Sequence, residues 1–82
     1  MNNTRRKALD EVHSRLMEAV DELQRIKDEE EDAYYNLPES LQCSERGEQM
    51  EEYIDTIAEA YQEIDEIVGN LWDIIEPLYQ KK

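Results

Sequence analysis

Apolar residues recur at alternating steps of three and four along almost the whole of this chain. Leu9, Val12, Leu16, Ala19, Leu23, Ile26, Ala33 and Leu37 mark the first half. Met50, Ile54, Ile57, Tyr61, Ile64, Val68, Leu71, Ile75 and Leu78 mark the second. A helix turns about 100° per residue, so this spacing lines one side of a rod. A half-buried strand would alternate at every second residue instead. Pro38 breaks the pattern once. The repeat therefore predicts an all-α protein, with two long helices folded back as an antiparallel, coiled-coil-like hairpin.

Local signals set the boundaries. Thr4 is the expected N-cap of a first helix over about 4–35, some 45–50 Å long at ~1.5 Å per residue. Glu30 takes an inward place between Ile26 and Ala33, inside the acidic run Asp28-Glu29-Glu30-Glu31-Asp32. Proline disfavours helical geometry in the residue before it, so Leu37-Pro38 ends the helix. Residues 36–44 form the connector, with Leu37 and Leu41 tucked over the end of the hairpin. Ser44 is the expected N-cap of a second helix over about 45–76, which Pro77 stops, leaving Leu78 and Tyr79 in a short tail. Gly69-Asn70 falls on its polar side, a soft spot of ~1 kcal/mol and not a stop.

The second helix carries more apolar surface than the first. Tyr53, Ala60, Ile67 and Ile74, each seven residues after the last, run immediately beside its main seam. Only Val20 and Tyr34 widen the seam of helix 1. So broad a face asks for more cover than one partner helix supplies, and a chain of 82 residues is short of core. The expectation is a homo-oligomer, a four-helix bundle dimer or larger, with Tyr53, Ala60, Ile67 and Ile74 between subunits. Trp72, just outside the seam, is the candidate aromatic anchor of that interface.

Twenty-two acidic residues against nine basic ones give a net charge of −13. Such a balance disfavours naked nucleic acid and anionic membrane, both polyanions, as partners. It favours basic proteins, including those that themselves bind nucleic acid. In a hairpin Arg5, Arg6, Lys7, Lys81 and Lys82 share one tip, leaving Arg15, Arg25, Lys27 and Arg46 to oppose all 22 acids. Glu48, Glu52, Asp55, Glu59 and Glu63 line the outer side of helix 2, where like charges at this spacing cost ~0.2–0.5 kcal/mol per pair. Two readings stand: a solvated polar face, or an electronegative rail that imitates a nucleic-acid backbone toward a basic groove.

Little in the chain predicts chemistry. No apolar run approaches the ~20 residues that span a bilayer. The basic start has no apolar stretch after it, so no signal peptide is expected, and a lone Cys43 fits a reducing cytoplasm. Cys43 has no base beside it, and Gly47 and Gly69 build no phosphate loop. His13, three residues after Asp10, lacks the second Glu-x-x-His pair of a di-iron bundle and reads as a polar flank residue. Glu51-Glu52-Tyr53-Ile54-Asp55 resembles the EExxD motif of all-α nucleotide pyrophosphohydrolases, whose carboxylates hold Mg²⁺, but a second motif is missing. No catalytic residue, metal or cofactor is expected. Tyr34, Tyr35, Asn36 and Arg46 gather at the turn, either to cap and pack the loop or to grip a nucleotide or a partner.

Asn36-Leu37-Pro38-Glu39-Ser40-Leu41-Gln42, followed by Ser44-Glu45-Arg46-Gly47-Glu48, resembles a segment of small acidic helical-hairpin proteins from phages and prophages of Gram-positive bacteria. Heptad helices on both sides extend the resemblance over most of the chain. It implies an accessory phage product acting in the bacterial cytoplasm, such as an inhibitor of host defence, and assigns no binding or catalytic residue. The first functional reading is then a non-enzymatic protein that binds and blocks a basic host factor through its acidic face. The alternative is an oligomeric sponge that sequesters a host nucleotide signal at the turn cluster. An all-α nucleoside triphosphate pyrophosphohydrolase is the third.

Overall fold

The computed structural model describes residues 1–80. It contains α1 (Asn3–Tyr35), the single turn α2 (Glu39–Gln42), α3 (Glu45–Ile75) and a 3₁₀ turn over Glu76–Leu78, with no strand among the described residues. α1 and α3 lie side by side as a long extended helix pair measuring 61 × 18 × 15 Å. Near one end the Arg6 Nε donates to the Ile74 carbonyl at 3.2 Å. Near the other the Tyr34 hydroxyl donates to Glu51 at 2.5 Å.

The helix ends follow from their capping groups. Asn2, not Thr4, caps α1: its Oδ1 accepts the Arg5 N–H at 2.9 Å from an extended backbone, while Thr4 is already helical. The last carbonyls of a helix have no partner within it. Here the Gln42 amide supplies one, donating to the Tyr34 and Leu37 carbonyls at 3.3 and 3.0 Å. Pro38 opens α2, and Ser44 caps α3 by accepting the Gly47 N–H at 3.4 Å. Gly47 is buried because the start of α3 lies on the backbone of α2. A Cβ there would stand 2.1 Å from the Gln42 carbonyl oxygen. Pro77 ends α3 in a 3₁₀ turn, which carries Tyr79 back onto the helix pair, where the sequence pattern predicts only a tail.

The seam between the helices is thin. Among the described residues Val68 and Ile75 are its buried apolar side chains, and only Ile75 is sealed completely. α1 is rotated from the expected arrangement. Leu9, Leu16 and Leu23 do line its inward side, joined by Val20, Lys27, Tyr34 and the buried His13. Val12 and Ile26 instead turn to the flank, 42% and 43% exposed, in line with Ala19 and Ala33. The physical reason is size. His13, Val20, Tyr34 and the long stem of Lys27 cover more of α3 than Val12, Ala19, Ile26 and Ala33 would. The Lys27 ammonium is held by Glu31 at 3.1 Å and Asp28 at 3.7 Å, so its charge needs no water on the inner side. The hydrogen bond to Glu31, above all, raises its pKa.

The two glycines are expected to answer substitution in opposite directions. Gly47→Ala forces a backbone contact apart and should lower the unfolding free energy by roughly 1–3 kcal/mol. A methyl group added at Gly69 would meet nothing within 4 Å, so Gly69→Ala should raise it by about 0.5–1 kcal/mol. Chemical denaturation of the two variants measures both; equal shifts of one sign would remove the close approach at Gly47.

Candidate functional site

The turn end of the helix pair holds an open cleft of about 230 Å³, lined by Glu31, Tyr34, Tyr35, Glu51, Ile54 and Asp55. α1 supplies one wall and the first turns of α3 the other. The Tyr34 and Tyr35 rings meet edge to face, with centroids 5.3 Å apart and planes 74° apart. Hydrogen bonding to the Glu51 carboxylate, helped by partial desolvation, pushes the Tyr34 hydroxyl up to about 12. Ring faces and three carboxylates together favour a cation and oppose a phosphate.

The turn cluster read from the sequence is therefore only half assembled. Tyr34 and Tyr35 share the cleft, while Asn36, the C-cap of α1, and the exposed Arg46 stand outside its lining. Glu31, Glu51, Ile54 and Asp55 complete it, and sequence reasoning did not place them there. Of the EExxD-like residues, Glu51 and Asp55 reach the cleft and Glu52 does not. Among the described residues no three His, Cys, Asp or Glu side chains converge as a metal-binding set.

Glu48, Glu52, Asp55, Glu59 and Glu63 are all exposed along α3. The ion pairs among the described residues are Arg25 with Glu29, and Lys27 with Asp28 and Glu31, every one of them within α1. None reaches the acids of α3. Asp55 belongs to both the rail and the cleft, so the two form one continuous acidic surface.

At the opposite end Trp72 lies between two rings. Its centroid is 5.5 Å from that of His13 and 5.6 Å from that of Tyr79, with which it stacks at 18°. The Tyr79 hydroxyl donates to Asp10. His13 is thus buried under an aromatic lid and is not the polar flank residue its neighbours imply. Trp72 anchors the 3₁₀ turn within the chain, and it lies on the other side of α3 from Ile67 and Ile74. Tyr53, Ile67 and Ile74 remain substantially exposed, and Ala60 is half-buried between them. Of the basic tip, Arg5, Arg6 and Lys7 are in place at the start of α1; Lys81 and Lys82 lie outside the described residues. No helix among the described residues is long and apolar enough to cross a membrane.

The bond between Tyr34 and Glu51 has a pH signature. A hydroxyl whose pKa is higher in the fold than in the unfolded chain stabilises fully below about pH 10, and that contribution is lost as pH climbs toward 12. Phenolate absorbance should therefore show a late-titrating tyrosine that returns to the ordinary range in Glu51→Gln. Tyr79, raised by its bond to Asp10, should titrate late in both proteins. An unchanged titration curve in Glu51→Gln would remove the bond from the account.

Compared with known proteins, the chain matches no family model, no curated protein and no solved structure.

Proposed function

We propose that this chain is a non-enzymatic interaction protein: an antiparallel helical hairpin, self-associated as a bundle, that binds and blocks a basic protein through its acidic side. One observation carries the reading. The acids of α3 have no ion pair among the described residues, although like charges so spaced work against the helix that bears them. A face that opposes its own fold is accounted for by what it attracts. The rail steers a basic surface at long range, and short-range recognition falls to the cleft. A lysine or arginine of the partner fits between the tyrosine rings and the carboxylates of Glu31, Glu51 and Asp55, where cation–π and charge attraction act together.

The same surface gives no support to the nucleotide sponge, since a phosphate entering the cleft would meet three carboxylates. A bacterial cytoplasm is the setting that the connector's resemblance to phage proteins implies for the proposed activity. The partner is then a host protein with a basic, nucleic-acid-binding groove, and occupying that groove is the means of inhibition.

Capture from a bacterial lysate at two salt concentrations tests this. Between ~0.1 and ~1 M salt the screening length falls from about 10 to about 3 Å, and recovery of basic proteins should drop at least about tenfold. Joint replacement Glu48→Gln, Glu52→Gln, Glu59→Gln and Glu63→Gln should abolish capture at low salt while helicity persists. Capture that survives both treatments overturns the proposal.

A further inference from the structure

One flank of the helix pair is apolar on both helices at once. Val12, Ala19 and Ile26 of α1 and Tyr53, Ile67 and Ile74 of α3 stand on the side of the seam away from Trp72 and the cleft. The contacts of the other flank establish this. Asp10 bonds Tyr79, and Glu31 shares the cleft with Glu51, so those residues occupy one common side. Val12 and Ile26 lie on the opposite edge of α1 from Asp10 and Glu31, and Ile67 and Ile74 on the opposite edge of α3 from Trp72. On that other flank Asp10, Glu31, Glu51 and Asp65 break up the apolar surface. On this one neither line, Val12-Ala19-Ile26-Ala33 or Tyr53-Ala60-Ile67-Ile74, itself carries a charge, and the half-buried Glu30 stands beside the first between Ile26 and Ala33.

We infer that this two-helix face is where a second copy of the chain docks, with the turn of each copy against the termini of the other. Size supports a second copy. The face runs about 30 Å at ~1.5 Å per residue across a pair of helices 18 Å wide. That is roughly 500–600 Å² before side-chain relief, approaching the ~800 Å² per partner of a stable interface. Charge sets the orientation. Arg5, Arg6 and Lys7 at the terminal end nearly balance Asp10, Glu11, Asp73 and Glu76 there, whereas Asp28, Glu29, Glu31, Asp32, Glu45 and Glu48 crowd the turn end. Turns together would stack acid on acid, whereas turns opposed bring the three cations of each copy to the acidic end of the other.

The inference rests on the self-association proposed above but not on the acidic side, so the two are separable. Light scattering on the full chain at micromolar concentration should give the mass of two chains. Ile67→Glu should halve that mass, while Met17→Glu, equally exposed but on the other flank, should leave it unchanged. A spin label on the exposed native Cys43, beside the turn, reads the orientation with no apolar substitution at all. Opposed turns predict a label separation approaching the 61 Å length of the pair, and turns together one near its 18 Å width. A single-chain mass for the unaltered protein, the same response from Ile67→Glu and Met17→Glu, or the short separation overturns the inference. Salt-sensitive capture by a monomer would leave the proposed binding through the acidic side standing alone.

Discussion

The contact between α1 and α3 is what the rest of this molecule depends on, and it is narrow. Each helix exceeds thirty residues, yet the pair seals a single apolar side chain completely. Isolated helices in water are marginal, and a two-helix layer has no third element to close over its core. The chain answers by recruiting polar-tipped side chains into the seam. His13 enters beneath the Trp72 ring, Lys27 lays its stem inward and hands its charge to Glu31, and Tyr34 turns in and hands its hydroxyl to Glu51. Apolar bodies thereby widen the seam while their polar ends stay satisfied, which a buried polar group requires.

This economy creates the cleft. Tyr34 faces α3 because the line through His13, Val20 and Lys27 faces α3, and Glu51 is the group that meets its hydroxyl. Tyr35, one residue on, is turned about 100° away and closes the edge of the opening. Cleft and seam are thus consequences of one helix rotation. The same rotation sends Val12 and Ile26 to the far flank, next to Ile67 and Ile74, where a chain with so little interior leaves them wet.

That the chain is all-helical was legible in the sequence because three-four spacing has one physical meaning over thirty residues. In the connector the stop at Pro38 and the cap at Ser44 were legible, since both act through local backbone geometry, but Leu41, expected to tuck over the end, stays 41% exposed. Rotation was not legible. On α1 two apolar lines run side by side, through Val12, Ala19 and Ile26 and through His13, Val20 and Tyr34. A binary pattern favours the first, because histidine and lysine in the second count as polar. Which line turns inward depends on side-chain volume and on what each side chain meets across the seam. Two of those contacts, the Trp72 ring for His13 and the Glu51 carboxylate for Tyr34, lie 59 and 17 residues away along the chain. Gly47 was hidden for a related reason: its need is set by the Gln42 carbonyl across a turn, not by a conformation that only glycine adopts.

The placement of the two surfaces bears on how such a protein would bind. The apolar flank and the cleft lie on opposite sides of the seam, so closing one in the proposed dimer leaves the other open. Opposed turns would set two clefts at the two ends of the assembly, separated by nearly the length of the rod. Each rail then leads to its own cleft, and neither copy blocks the other. A partner presenting two basic segments, or two copies of a basic partner, would engage both ends. With a two-segment partner the second contact would be intramolecular, its strength set by whether the spacing is met. Turns packed together would instead bring both clefts to one end and merge their negative fields, raising local attraction but also the repulsion between copies. The acids crowded at the turn are therefore what favours the arrangement with two independent ends, and stiffness of the helix pair is what would make their spacing selective.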